Sequence, residues 1–198
     1  MKCSYIAIER EYGSGGTEIA RRLSEESGVP YYGREILEKV SKDYGIPISQ
    51  IEKYEEKATS SFLYTIYCLA RAQSGSDDLT SNEGKIFLAE QSAIKNFAER
   101  GRAIFLGHCA AEALKDKPHA VKGFIRGDED DKKQRIVCDY GIDEDRVEET
   151  MHHIDKRRAG YYYANTACRF DDINSYDLIL NSSVLGIDGC VKILKTLF

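Results

Sequence analysis

Residues Tyr5 to Ala20 constrain this chain more than any other stretch, because they join a strand, a glycine loop and a helix within sixteen residues. Tyr5-Ile6-Ala7-Ile8 is an apolar run of the kind that forms a buried strand. Gly13-Ser14-Gly15-Gly16 follows as a turn of small residues. Ile19, Ala20 and Leu23 then recur at helical spacing, and Gly28 stands ready to stop the helix. A glycine turn lets backbone N–H groups approach an anion, and the helix N-terminus adds its partial positive charge. The stretch therefore predicts phosphate binding.

The usual signature of a nucleotide phosphate loop has two glycines separated by four residues, then Lys, then Ser or Thr. Laid on that frame, Gly15 is the second glycine, Thr17 supplies the hydroxyl, and Gly16 takes the lysine position. Arg10 stands where the first glycine belongs. A unit charge about 4 Å from a phosphate, in a surface-like dielectric, is worth about 4 kcal/mol. Expressed wholly in a transition state, that is roughly a factor of 10³ in rate. The function of the chain turns on that missing cation.

A chain of 198 residues holds one substantial core and has no room for two ordinary domains. Its 42% hydrophobic and 31% charged residues, with three prolines, are those of a globular protein. A net charge of −5 argues against a binder of nucleic-acid polymers, which calls for a positive excess, yet leaves room for a local basic pocket. The six cysteines are scattered without a close C-x-x-C pair, so they read as reduced thiols packed as small apolar groups. No run approaches the roughly 18 apolar residues of a membrane span, and no signal peptide is evident. A cytoplasmic protein without membrane contact is expected.

Further along, Val29-Pro30-Tyr31-Tyr32 is extended and Gly33 breaks it. Arg34 to Asp43 reads as a helix burying Ile36, Leu37 and Val40, and ends at Tyr44-Gly45. Ser49 with Glu52 three residues on has the form of a capping box. Helices around Phe62 to Ala72 and Glu83 to Glu99 flank the polar loop Gln73 to Asp78. The span from Arg34 to Arg100 is thus helical, longer than one crossover needs, and suggests an inserted subdomain. Ala103 to Gly107 is a buried strand, followed by a short helix from Cys109 to Lys115 and a strand from Ala120 to Ile125. Asp128 to Tyr140 is a charged helix, and Asp143 caps a longer one toward Tyr162. Tyr176 to Asn181 is the last strand, and Ile187 to Leu197 the last helix. Strands separated by helices, with no hairpin signal, give a mainly parallel α/β sheet whose ligands sit beyond the strand C-termini. Gly13 to Thr17, Gly33-Arg34 and Gly107-His108 all follow strands and are expected to converge on one crevice.

Asp155-Lys156-Arg157-Arg158 forms a second informative stretch. A charged helix end in solvent is one reading of it, since cations favour a helix C-terminus. A second basic group, Lys132, Lys133 and Arg135, precedes it by about one helical hairpin. Two such groups across a phosphate loop make an anion clamp, which phosphoryl transfer requires. His108, directly after a strand and a glycine, is either a ligand contact or a structural hydrogen-bonding residue. His152 and His153 read as surface residues. No His or acidic cluster has the spacing of transition-metal ligands. The G-x-S-x-G pattern of a nucleophile elbow is absent around Ser14.

Six segments in order resemble the cytidylate kinase-like family, relatives of the P-loop nucleoside monophosphate kinases. They are I-A-I-E-R-E-Y-G-S-G-G-T-E-I-A, V-P-Y-Y-G-R-E-I-L, I-F-L-G-H-C-A-A-E-A-L, F-I-R-G-D-E-D-D-K-K-Q-R-I, D-K-R-R-A-G-Y-Y-Y and Y-D-L-I-L-N-S-S-V-L-G-I. The resemblance implies a P-loop NTPase-type parallel sheet with flanking helices, in a single domain over residues 1–198. It further implies an acceptor-binding helical insertion over about 34–100 and lid-bearing helices over about 128–163. Such proteins move the γ-phosphoryl of ATP, with Mg²⁺, to a nucleoside monophosphate, CMP or dCMP above others. By this likeness Gly13, Ser14, Gly15, Gly16 and Thr17 hold the donor phosphates, with Thr17 near Mg²⁺. Arg34, Lys39 and His108 are acceptor candidates. Arg135, Arg157 and Arg158 hold the transferring group, and Asp155 orients the lid or the acceptor base.

Several positions depart from the family pattern. The lysine position is Gly16, and Thr17 stands where relatives commonly carry Arg. Gly33 replaces a frequent Asp and His108 a frequent Arg. Arg10, Arg21, Arg157 and Arg158 are the cations available to replace the lysine. The retained arginines favour a kinase; the substitutions favour a nucleotide- or phosphate-binding regulator that kept the fold and lost catalysis.

Overall fold

The computed structural model describes residues 2–57 and 82–198. Five strands, β1 (Tyr5–Arg10), β2 (Tyr31–Tyr32), β3 (Ala103–Leu106), β4 (Ala120–Arg126) and β5 (Leu178–Asn181), form one sheet in the order β2-β3-β1-β4-β5. Every pairing is parallel, with Tyr5 opposite Ala103 on one side and Ala120 on the other. The helices between them are α1 (Gly16–Ser27), α2 (Arg34–Tyr44), α3 (Ile48–Lys57), α4 (Asn82–Ala98), α5 (Ala110–Ala113), α6 (Glu129–Tyr140), α7 (Val147–Thr166) and α8 (Ser182–Lys195).

Because side chains alternate along a strand, the two faces of the sheet feed two cores. Ile6, Ile8, Ile104, Leu106, Ile125 and Leu180 pack with Ile19, Ala20 and Leu23 of α1 and Cys190, Val191 and Leu194 of α8. Ala7, Phe105 and Phe124 face the other way, toward Ile36, Leu37 and Val40 of α2, Ile94 and Phe97 of α4, and Tyr161 and Tyr162 of α7. A third, small cluster joins Ile136 of α6 to Val147 and Met151 of α7, with Tyr12 of the glycine loop packed against it. The α6–α7 pair thus has an apolar seam of its own, and the loop after β1 takes part in it.

Local chemistry moves several element ends from their expected places. The Ser49–Glu52 box does not form, because α3 begins at Ile48 and the Pro47 carbonyl accepts from the Gln50 and Ile51 amides. Asp143 makes no side-chain cap; a 3₁₀ turn at Glu144–Arg146 stands between it and α7. The last helix starts at Ser182 rather than Ile187, since Asn181 caps it by accepting from the Ser183 amide. Gly186 is a kink within it at φ 68°. The expected helix Phe62 to Ala72, its apolar residues Phe62, Leu63, Ile66 and Leu69, and the loop Gln73 to Asp78 lie outside the described residues. Among the described residues no helix is long and apolar enough to cross a membrane.

Phe105 is fully buried and its ring stacks against Tyr32 at 5.7 Å between centroids. Phe105→Ala is expected to lower unfolding stability in urea by about 3–5 kcal/mol, the usual cost of emptying an aromatic core site. A loss below about 1 kcal/mol would contradict this account of the core.

Candidate active site

The five residues between β1 and α1 form a loop that is gripped from above by α6 and α7. Gly13 and Gly15 take φ of 78° and 76°, values that side-chain-bearing residues rarely adopt. Ser14 is fully buried, and its Oγ donates to the Glu11 carbonyl at 2.8 Å. The Tyr12 amide donates to Asp155 Oδ1 at 2.6 Å, and Arg158 Nη1 donates to the Arg10 carbonyl at 3.0 Å. Arg135 Nη1 donates to the Gly13 carbonyl at 2.5 Å, and Lys132 Nζ pairs with Glu11 Oε2 at 3.0 Å. The Glu11 carboxylate also accepts from the Gly127 amide. At the helix start, the amides of Gly15, Gly16 and Thr17 precede the first intrahelical bond, Ile19 N–H to Gly15 O at 2.9 Å; N–H groups at a helix start have no intrahelical acceptor and favour anions.

Beside the loop, at the C-terminal ends of the adjacent strands β1 and β3, lies a cavity of about 420 Å³. Glu9 and Arg10 reach it from β1, Gly107, His108 and Cys109 from the turn after β3, and Arg34 and Leu37 from α2. Glu52 of α3 and Arg157, Arg158, Tyr161 and Tyr162 of α7 also line it. Among the described residues, four arginines and two carboxylates therefore line it, in a protein whose overall charge is negative. Arg34 stays largely exposed, with Glu38 at 3.6 Å and Glu52 at 3.8 Å.

Burial sets the electrostatics of the inner wall. Burial pushes the Glu9 carboxyl above the usual carboxylate range, against the pull of Arg10, His108, Arg158 and an N–H bond from Cys109. Asp155 is likewise raised by burial, opposed by the Tyr12 amide and then by Arg158 and Lys132. The Arg158 guanidinium is pushed down to about 9, by burial first and by Arg10 next, with Asp155 and Glu9 supporting its charge. It remains a cation at neutral pH. Burial and the charge of Glu9 push the Tyr162 phenol up to about 12, so it acts as a neutral hydroxyl. Behind it, Tyr161 donates to Glu90, a fully buried carboxylate whose other oxygen lies 3.9 Å from His108 Nδ1.

Of the residues singled out in the sequence, Arg10, Arg34, His108, Arg157 and Arg158 are brought together around the cavity. Gly13 to Thr17, Arg135 and Asp155 belong to the neighbouring loop and its clasp, so the expected single crevice is two adjoining compartments. Two residues fall elsewhere. Arg21 faces solvent on α1, bound to Glu18 at 2.6 Å and Glu25 at 2.5 Å. Lys39 pairs with Asp43 at 2.6 Å on α2 and does not line the cavity. Glu9, Glu90, Tyr161 and Tyr162 were given no role in the sequence reading. Glu90 carried a signal, since it falls on the helical stripe of Ile86, Ala93, Ile94 and Phe97 that α4 buries.

These residues fit a nucleotide's phosphates. The Nε of Arg10 is buried without a hydrogen-bond partner among the described residues, a donor that an anion or a water would satisfy. For Mg²⁺ the protein offers the exposed Thr17 hydroxyl; no three His, Cys, Asp or Glu side chains are grouped for a metal among the described residues. That suits Mg²⁺, which keeps water and phosphate oxygens as most of its ligands.

A parallel sheet in this order, with a glycine loop after its central strand, defines a P-loop kinase fold. Shikimate kinase from Bacteroides thetaiotaomicron shares it, with a TM-score of 0.52 at 14% identity over 98% of this chain and 96% of that one. A structurally similar protein of unassigned function from Eubacterium ventriosum superposes with a TM-score of 0.71 at 25% identity, covering 97% and 96% of the two chains. Residues 5–184 match the model of the cytidylate kinase-like family, and the chain belongs to that family. A cytidylate kinase from Pyrobaculum calidifontis is 23% identical over 193 residues, 95% of this chain and 89% of that protein.

The raised Glu9 carboxyl has a consequence for stability. The folded protein prefers its neutral form, so this preference favours folding below the ordinary value of 4.5 and is lost as pH rises through the raised folded value. Gln at this position has no such dependence. Glu9→Gln is therefore expected to gain stability relative to the parent as pH rises from about 4 to 8, read from paired urea titrations. A difference that stays constant across that range would contradict the assignment.

Proposed function

We propose that this protein is a nucleotide phosphotransferase that moves the γ-phosphoryl of ATP to a nucleoside monophosphate, with CMP and dCMP as the favoured acceptors. The observation that carries the reading is the cavity itself: four arginines against two carboxylates, one of them inclined to neutrality by burial. Such a net positive cavity suits a phosphomonoester, which carries close to two negative charges at neutral pH. Its volume lies within the roughly 300–1,000 Å³ of small-molecule sites. The preference for cytidine nucleotides rests on the family and on the named relative from P. calidifontis.

A hydroxyl acceptor would need a general base, and the cavity's carboxylates are poorly placed for that. Glu9 is buried and accepts from the Cys109 amide, and Glu52 sits 3.8 Å from Arg34. A phosphate acceptor brings its own nucleophilic oxygen and needs positioning and charge neutralisation instead.

In this reading the insertion over about 34–100 supplies the acceptor wall through Arg34 of α2, and residues of about 128–163 form the lid. ATP with Mg²⁺ supplies the phosphoryl group and neutralises part of its charge when bound. The amides of Gly15, Gly16 and Thr17 receive the donor phosphates at the helix N-terminus. Arg135 exchanges the Gly13 carbonyl for a phosphate oxygen, a change from a neutral to a charged acceptor that strengthens its bond. Asp155 positions the loop through the Tyr12 amide. Arg157 and Arg158 hold the group in transit, and α6 and α7 exclude water from it.

Gly16 at the lysine position supports a second reading, a nucleotide-responsive regulator with the same fold. Coupled measurement of ADP release with CMP, dCMP, UMP and AMP separates the two. Acceptor-dependent release, fastest with CMP or dCMP and lowered roughly 10²–10³-fold in kcat by Arg158→Met, is expected. Thermal stabilisation by nucleotides without turnover on any acceptor would replace the kinase by the regulator.

A further inference from the structure

Arg10 and Gly16 are tied together by space as well as by their places in the loop motif. A Cβ on Gly16 would lie 2.7 Å from Arg10 Cβ and 2.9 Å from its Cγ. Cβ is fixed by the Arg10 backbone and no rotamer change moves it clear, so with this backbone a lysine at 16 and an arginine at 10 exclude one another. The far end of the same side chain is fitted against a second glycine: a Cβ on Gly107 would meet Arg10 Nη1 at 2.6 Å. The arginine therefore runs over Gly16, away from the donor loop, and lays its guanidinium on the turn after β3.

We propose that Arg10 and Gly16 are an exchanged pair: the cation that a phosphate loop ordinarily carries at position 16 is delivered in this chain from position 10, and it grips the acceptor's phosphate instead of the donor's. The acceptor half of this statement rests on the reading of the cavity given above; the exchange half does not. Three observations support the direction. Arg10 lines the cavity with Arg34, Arg157 and Arg158. Its Nε is buried with no hydrogen-bond partner among the described residues. Arg158 is anchored to the carbonyl of the same residue, which sets two like charges side by side, an arrangement that an anion between them relieves. An arginine also presents a planar fork of donors that matches a phosphate, where lysine is a point charge on a flexible stem. No covalent step is added by this role; Arg10 binds and orients.

The pair can be reversed. Arg10→Gly with Gly16→Lys would write G-E-Y-G-S-G-K-T, the complete phosphate-loop signature. The test is a cycle of four proteins, the parent, R10G, G16K and the double variant, read first by melting without ligand. G16K alone is expected to be clearly destabilised, and adding R10G to it is expected to restore melting toward that of R10G alone. If the effects simply add, the exchange is wrong. Binding is read separately by calorimetry, CMP alone and ATP alone so that no turnover intervenes, using Arg10→Met as well, which keeps the stem over Gly16 and removes the charge. Both Arg10 variants are expected to weaken CMP at least tenfold and ATP less than about threefold, and the double variant to regain nothing for CMP. Equal or greater weakening of ATP would overturn the acceptor-side assignment. Failure of the parent to bind any nucleoside monophosphate would remove the cavity reading and the acceptor half with it, while the melting cycle still decides the exchange.

Discussion

The stem of Arg10 against the bare Cα of Gly16 is the contact on which the rest of the site depends. It fixes where the cation can go, because a side chain at 16 has no volume to enter. It also joins the end of β1 at Arg10 to the turn that begins at Gly107, 97 positions on, beside the parallel pairing of β1 with β3. A phosphate loop that loses its lysine would ordinarily lose charge at the point of transfer. In the exchange proposed above the charge is kept and moved, and the cavity beside β3 gains it.

The second constraint is the clasp over the loop. Asp155, Arg158, Arg135 and Lys132 come from two helices that share their own apolar seam, and each binds a different residue of the segment from Arg10 to Gly13. Movement of those helices is thereby coupled to the backbone of the glycine loop, where the proposed function places the donor phosphates. The cost of holding buried carboxylates and guanidiniums together is visible in Glu9, Asp155 and Arg158, all shifted against their charged forms by burial. Such a site is poised for an anion, since the incoming charge supplies what the protein alone leaves uncompensated.

Much of this was legible in the sequence, for reasons that are local. The strand Tyr5 to Ile8, the glycine turn and the stripe Ile19, Ala20, Leu23 each follow from residue types and spacing, and they place the phosphate loop without reference to the rest of the chain. The stripe Ile36, Leu37, Val40 placed α2 for the same reason. What escaped was set by tertiary neighbours. The partners of Arg21 and Lys39 lie within a helical turn of each, and local pairing drew both away from the site. Glu9 differs from other charged residues only by being enclosed between β3, β4 and α7, which no spacing announces. The direction of Arg10 depends on Gly107, a residue that nothing in the first twenty positions brings into view.

The central claim, that the crevice between β1 and β3 is an acceptor-phosphate site served by Arg10, is tested most directly by a crystal structure of the protein with CMP. The expected result is the CMP phosphate within hydrogen-bond reach of the Arg10 guanidinium, with Arg158 or Arg157 on its other side. A CMP phosphate seated on the amides of Gly15 to Thr17, with Arg10 still unpartnered, would contradict it.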